Sequence, residues 1–177
     1  MYIIVCPYGS PGDVVSAVID SSDVNLFTDG ENIYMTFDHK RKQALVGNAS
    51  HPSRNLLEEA DALEGICKSL YTHTSKRKIE KTKVTKHTYI SLDCSSEKAS
   101  NWVFARSSKE LNDDAITPKS IMNNSIVNNY HADHVITLED ILDGRLVEKL
   151  KEFITDPLDE DLYKAWMSPS YCNFKWD

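Results

Sequence analysis

The sequence predicts an α+β fold in one domain spanning residues 1–177, with an N-terminal antiparallel β-meander packed on helices and a helical C-terminal half. Three observations predict it. Asp29-Gly30 sits between Asn25-Leu26-Phe27-Thr28 and Glu31-Asn32-Ile33-Tyr34-Met35-Thr36-Phe37, and an Asp-Gly pair supplies the positive φ values that a tight hairpin turn needs. Leu142, Leu146, Leu150 and Phe153 recur at helical spacing, with Ile141, Val147 and Ile154 widening the apolar stripe. Finally, 177 residues with 41% hydrophobic and 27% charged side chains suffice for one core without disulfide or metal staples. No internal repeat, low-complexity tract or linker divides the chain.

Taken in order, Tyr2 to Cys6 is an apolar run bounded by Pro7 and Gly9, the pattern of a buried strand. The loop Pro7 to Gly12 has two glycines but neither a P-loop lysine nor the G-x-G-x-x-G spacing, so no phosphate-binding role is assigned to it. Asp13 to Asp20, DVVSAVID, is read as a strand from its β-branched content. In the hairpin's second arm Ile33, Met35 and Phe37 alternate with polar neighbours, so one face meets the core. A third strand is expected from Gln43 to Val46, and Ser53 caps a helix through Leu70 on which Leu56, Ala60, Leu63, Cys67 and Leu70 form the stripe.

Val84 to Leu92 alternates as a strand, Ser96 caps a helix running from about Ser95 to Leu111, and Asn112-Asp113-Asp114 makes a turn. Thr117-Pro118 opens a short helix to about Val127, since proline is tolerated in a first helical turn. Thr137 is an N-cap followed by acidic Glu139 and Asp140, which suit the positive end of a helix expected to run to Thr155, where Asp156-Pro157 stops it. A last short helix is expected around Leu162, Tyr163 and Trp166. The tail stays aromatic to its end, with Tyr171, Phe174 and Trp176 expected to dock on the body or to anchor a partner.

Chemistry concentrates at His131, Asp133 and His134. Imidazole and carboxylate in this H-x-D-H spacing are donors that a divalent zinc or manganese ion accepts, and His134 is the candidate general base for a metal-assisted hydrolysis. The competing reading is a polar loop before a helix in which Asp133 accepts backbone hydrogen bonds. The only basic run, Lys76, Arg77, Lys78, Lys81, Lys83 and Lys86, offers a strip for a phosphate backbone or an acidic partner.

Two resemblances follow from these strings. Ala132-Asp133-His134-Val135-Ile136-Thr137-Leu138 resembles the Asp-His-hydrophobic core of HNH nucleases, which implies a metal-binding aspartate and a water-activating histidine. The chain departs from that family where a helix follows the histidine at once. The meander, the turn Ala44 to Ser50 and the following helix resemble proteasome-like N-terminal-nucleophile hydrolases as far as about Leu70. That resemblance implies a nucleophile at the mature N-terminus, where this chain has Met1 and Tyr2.

The formal net charge of −7 works against non-specific binding of nucleic acid by the whole surface. Cys6, Cys67, Cys94 and Cys172 are widely spaced and read as free thiols of an intracellular protein. No apolar run reaches the length of a bilayer span and no signal peptide is evident, so cytoplasmic residence without a membrane partner is the expectation. The function these features suggest first is a non-catalytic regulatory or interaction protein binding a macromolecular partner, of the small host-modulating kind that viruses encode. The metal-dependent phosphodiester hydrolase is the alternative, and a degenerate proteasome-like fold the next.

Overall fold

The computed structural model describes residues 1–20, 24–29, 32–37, 68–72, 87–110 and 116–167. Its centre is a four-stranded sheet in which every strand pair is parallel, formed by β1 (Tyr2–Val5), β4 (Ser69–Thr72), β5 (Thr88–Asp93) and β6 (His134–Thr137) in the order β4-β1-β5-β6. The helices are α1 (Gly12–Asp20), α2 (Glu97–Glu110), α3 (Pro118–His131), α4 (Leu138–Leu142), α5 (Leu146–Lys151) and α6 (Glu160–Trp166).

This corrects the expected N-terminal meander. β1 pairs in parallel with β4 and β5, so it is a central strand rather than the first strand of a meander. The hairpin at Asp29-Gly30 does pair, as β2 (Val24–Asp29) with β3 (Asn32–Phe37), but it forms a separate two-stranded sheet. The segment Asp13–Asp20 is helical, not extended. Its β-branched residues were misleading because a helix buried on nearly all sides needs apolar residues all round, and Val14, Val15, Val18 and Ile19 are all buried. The expected third strand at Gln43–Val46 and most of the expected helix from Ser53 lie outside the described residues, while the last two residues of that helix, Ser69 and Leu70, are in β4.

Register assigns the two faces of the sheet. Ser69, Tyr2, Thr88 and, two residues on, Ile4, Ile90 and His134 share one face. That face carries α1: Ser69 Oγ donates to Ser16 O at 2.9 Å and to Asp20 Oδ2 at 2.6 Å, and the Lys68 amide donates to Asp20 Oδ1 at 2.5 Å. A buried carboxylate is tolerated here because each oxygen has a donor. α6 joins the same side, its entry fixed by the Asp159 amide donating to Val18 O at 2.9 Å.

The opposite face holds Ile3, Val5, Tyr89, Ser91 and Val135, and α2 and α3 lie there. Tyr89 and Ser91 are as buried as Ile90 and Leu92, which is why β5 is covered on both sides although its sequence reads as an alternating, half-buried strand.

The loop after β1 closes on itself and on α2. Gly9 has a φ of 83° and lies against Ser107, whose hydroxyl donates to Tyr8 O at 2.9 Å and to Val103 O at 2.7 Å. Gly12 lies so close to Cys6 that a Cβ there would force the Cys6 side chain to shift. Both glycines therefore serve chain packing.

The long C-terminal helix expected from Thr137 to Thr155 is in fact two short ones. Thr137 caps α4 as expected, its Oγ1 accepting the Asp140 amide at 3.0 Å and donating to Asp140 Oδ2 at 2.7 Å. Asp143 then ends α4 and Gly144, with a φ of 85°, turns the chain into α5. The apolar stripe survives this break because Leu142, Leu146 and Leu150 all enter the core.

Candidate interaction surface

α3 and β6 bring most of the described candidate residues together, and they begin with local signals. Thr117 caps α3 in a reciprocal box with Ser120, and Pro118 occupies the first turn. The helix continues past the expected end at Val127 to His131. Its inward positions are unusual. Ile121, Ser125, Asn128 and His131 are buried, and the contacts to β5 are polar: Ser125 Oγ accepts the Cys94 amide at 3.1 Å, and Ser91 Oγ donates to Asn129 Oδ1 at 2.7 Å.

Of the apolar residues of α3, Ile121 joins the core, but Ile126 and Tyr130 face the other way. Ile126 is 56% exposed and Tyr130 82% exposed, and their four-residue spacing puts them on one ridge with Met122 before them. This helix thus keeps on its outer flank an apolar ridge that an ordinary surface helix would bury.

Register extends the ridge onto the sheet. Val135 pairs with Ser91, and Ser91 points at α3, so Val135 faces the α3 side of the sheet. It is 45% exposed because α3 packs on β5 and leaves the face of β6 open. α2 lies against the opposite flank of α3, over the loop after β1. The open flank of α3 and the outer strand therefore form one strip of Met122, Ile126, Tyr130 and Val135. Among the described residues, β6 is the last strand in its order and no strand pairs with its outer edge.

The H-x-D-H residues stand at one end of this strip, each in its own environment. His131 is buried at the end of α3, with the Tyr130 ring edge-on at 5.0 Å between centroids. Asp133 is exposed and locks the start of β6 to β5: its Oδ2 accepts the Tyr89 amide at 2.8 Å, and its own amide donates to Tyr89 O at 2.9 Å. His134 points to the α1 face and stacks on Phe153, the rings 3.9 Å apart and 6° from parallel. Among the described residues no group of three or more His, Cys, Asp or Glu side chains is placed to hold a metal ion. The change from helix to strand between the histidines explains this, since His131 ends α3 while His134 opens β6 and points to the α1 face.

The remaining candidates, Lys76, Arg77, Lys78, Lys81, Lys83 and Lys86 in the basic strip and Tyr171, Phe174 and Trp176 in the tail, lie outside the described residues. Sequence reasoning missed Ile126, Tyr130 and Val135. The signal was present in Met122, Ile126 and Tyr130 at helical spacing, but the usual rule would have turned that ridge inward. Compared with protein-family models, curated proteins and solved structures, the chain has no match. Among the described residues no helix is long and apolar enough to cross a membrane.

Proposed function

We propose that this chain is a non-catalytic interaction protein that binds a macromolecular partner through the outer flank of α3 and the face of β6. The observation that carries the reading is the outer flank of α3, which leaves Ile126 and Tyr130 outside while the inward side buries Ser125, Asn128 and His131 beside Ile121. Polar burial is expensive unless each group is hydrogen-bonded, and exposed neighbouring apolar side chains mark binding surfaces more often than isolated ones do. A tyrosine this exposed supplies the rigid amphipathic area that interface anchors use. The engagement of Asp133 with β5 and of His134 with Phe153 favours a structural role for the H-x-D-H segment over a hydrolytic one.

The test places a photo-crosslinking amino acid at Tyr130 and, as a control, at Lys164 on α6, also exposed, in cells that express the protein. Discrete adducts from position 130 and none from 164, abolished by Ile126→Asp, are expected. No adduct from either position, or the same adducts from both, would refute the surface.

A further inference from the structure

We propose that the partner of the α3–β6 surface is a second copy of this chain, joined across a two-fold axis by antiparallel pairing of β6 with β6. The proposal rests on the interaction surface described above and names its occupant.

Among the described residues, the outer edge of β6 has no strand paired with it. A strand edge presents a row of backbone donors and acceptors, and monomers blunt it with charges, proline, bulges or a covering element. β6 reads His134-Val135-Ile136-Thr137, with neither charge nor proline within the strand. Antiparallel pairing about an axis normal to the sheet would join two four-stranded sheets into one and keep both α3 helices on the same side.

Such pairing leaves a space between the two helices. α3 packs over β5, so the two α3 helices would be separated by three strand spacings, about 14 Å. That is wider than the 8–10 Å of bare helix packing. Side chains from both helices and from the strand floor between them must fill the gap, and Ile126, Tyr130 and Val135 are the exposed apolar residues that point there.

The charges of the strip are self-complementary. α3 runs antiparallel to the strands, so Lys119 at its start lies at the opposite end of the strip from Asp133. A two-fold axis brings each Lys119 to the other copy's Asp133, giving two equivalent ion pairs. Lys119 is exposed on the same flank as Ile126 and Tyr130, and among the described residues it has no ionic partner. Asp133 uses Oδ2 for the Tyr89 amide, leaving Oδ1 for the lysine. Self-complementarity of this kind is what an isologous interface requires.

Sedimentation velocity on the full chain, from about 1 μM to about 500 μM, reads the equilibrium directly. The wild type should show concentration-dependent dimer. Lys119→Glu and Asp133→Lys should each weaken it about tenfold or more, because each replaces two attractions with two repulsions. Mixed together, these two variants should form a heterodimer with both pairs satisfied, an outcome a general loss of stability would not give. Asp133→Lys also removes a hydrogen bond to β5, so Val135→Lys, which touches no such bond, is the independent variant and should also yield monomer.

A wild type that is monomeric throughout, or a dimer indifferent to Lys119→Glu and Val135→Lys, overturns the proposal. If the wild type is monomeric yet position 130 still crosslinks to another protein, the interaction surface stands and self-pairing falls. If position 130 crosslinks to nothing as well, both fall.

Discussion

Replacing Gly12 by alanine sets a methyl group against Cys6. The added Cβ would approach Cys6 Sγ closer than the 3.0 Å that real Cβ atoms respect and would lie 3.3 Å from Cys6 Cβ, with Tyr71 Cβ at 3.7 Å on another side. A comfortable contact between such atoms is about 3.5–4.0 Å, and the Cys6 side chain is fully buried, so it has little room to yield. Gly12 does not have a positive φ, and without the clash the change would stabilise the start of α1 by about 0.4–1 kcal/mol. Overpacking a buried site costs about 1–3 kcal/mol. A net loss of about 1–2 kcal/mol follows, or roughly 2–8 °C in Tm for a chain this size. Urea unfolding followed by circular dichroism should show a lower midpoint with an unchanged slope. The decisive measurement is the double-mutant cycle with Cys6→Ala, which removes Sγ and should return about 1 kcal/mol or more of the Gly12→Ala cost. A neutral or stabilising Gly12→Ala, or a cost that Cys6→Ala does not reduce, would refute the reasoning.

Further expectations concern the capped turn and the thiols. Thr137→Ala should cost about 1 kcal/mol in chemical denaturation, the usual loss when an N-cap hydroxyl is removed. Burial raises the Asp140 pKa, but hydrogen bonds from Thr137 and Arg145 and the Arg145 charge outweigh it and hold the carboxyl below its ordinary value. The stability from this depressed pKa is therefore fully present above about pH 4 and lost as pH falls through the folded value, and melting curves across that range should be flatter at the acid end for Asp140→Asn. Burial pushes the Cys6 thiol up to about 12. Burial also raises Cys94 well above its ordinary value, with Cys6, Asp93 and Glu139 adding to it. Mass spectrometry should find both unmodified by iodoacetamide in the native protein at about pH 8 and modified after unfolding. By linkage, the raised Cys6 pKa contributes fully below about pH 9 and is lost as pH rises toward about 12. Native-state alkylation of Cys6 at the rate of an unfolded peptide would contradict that burial.

The sequence alone determined what short-range chemistry determines. Thr137 and Thr117 start helices wherever the rest of the chain lies, because a hydroxyl satisfies amides within one turn. β2 and β3 pair as the Asp-Gly signal between them leads one to expect. The leucines of α4 and α5 are buried through a break at Gly144 that their spacing did not reveal. The tertiary structure decided the rest. Whether Tyr2–Val5 begins a meander or sits at the centre of a parallel sheet depends on partners more than 60 residues away, and no local propensity encodes them. Asp13–Asp20 is helical because both of its faces are covered, a condition under which the alternation that distinguishes strand from helix disappears. The orientation of α3 is the clearest case. Its apolar ridge is legible in Met122, Ile126 and Tyr130, but the helix turns it outward because Ser91, the Cys94 amide and the end of β5 offer polar partners to Ser125 and Asn129. A helix faces the side on which its most costly groups are satisfied, and only the assembled sheet supplies those partners.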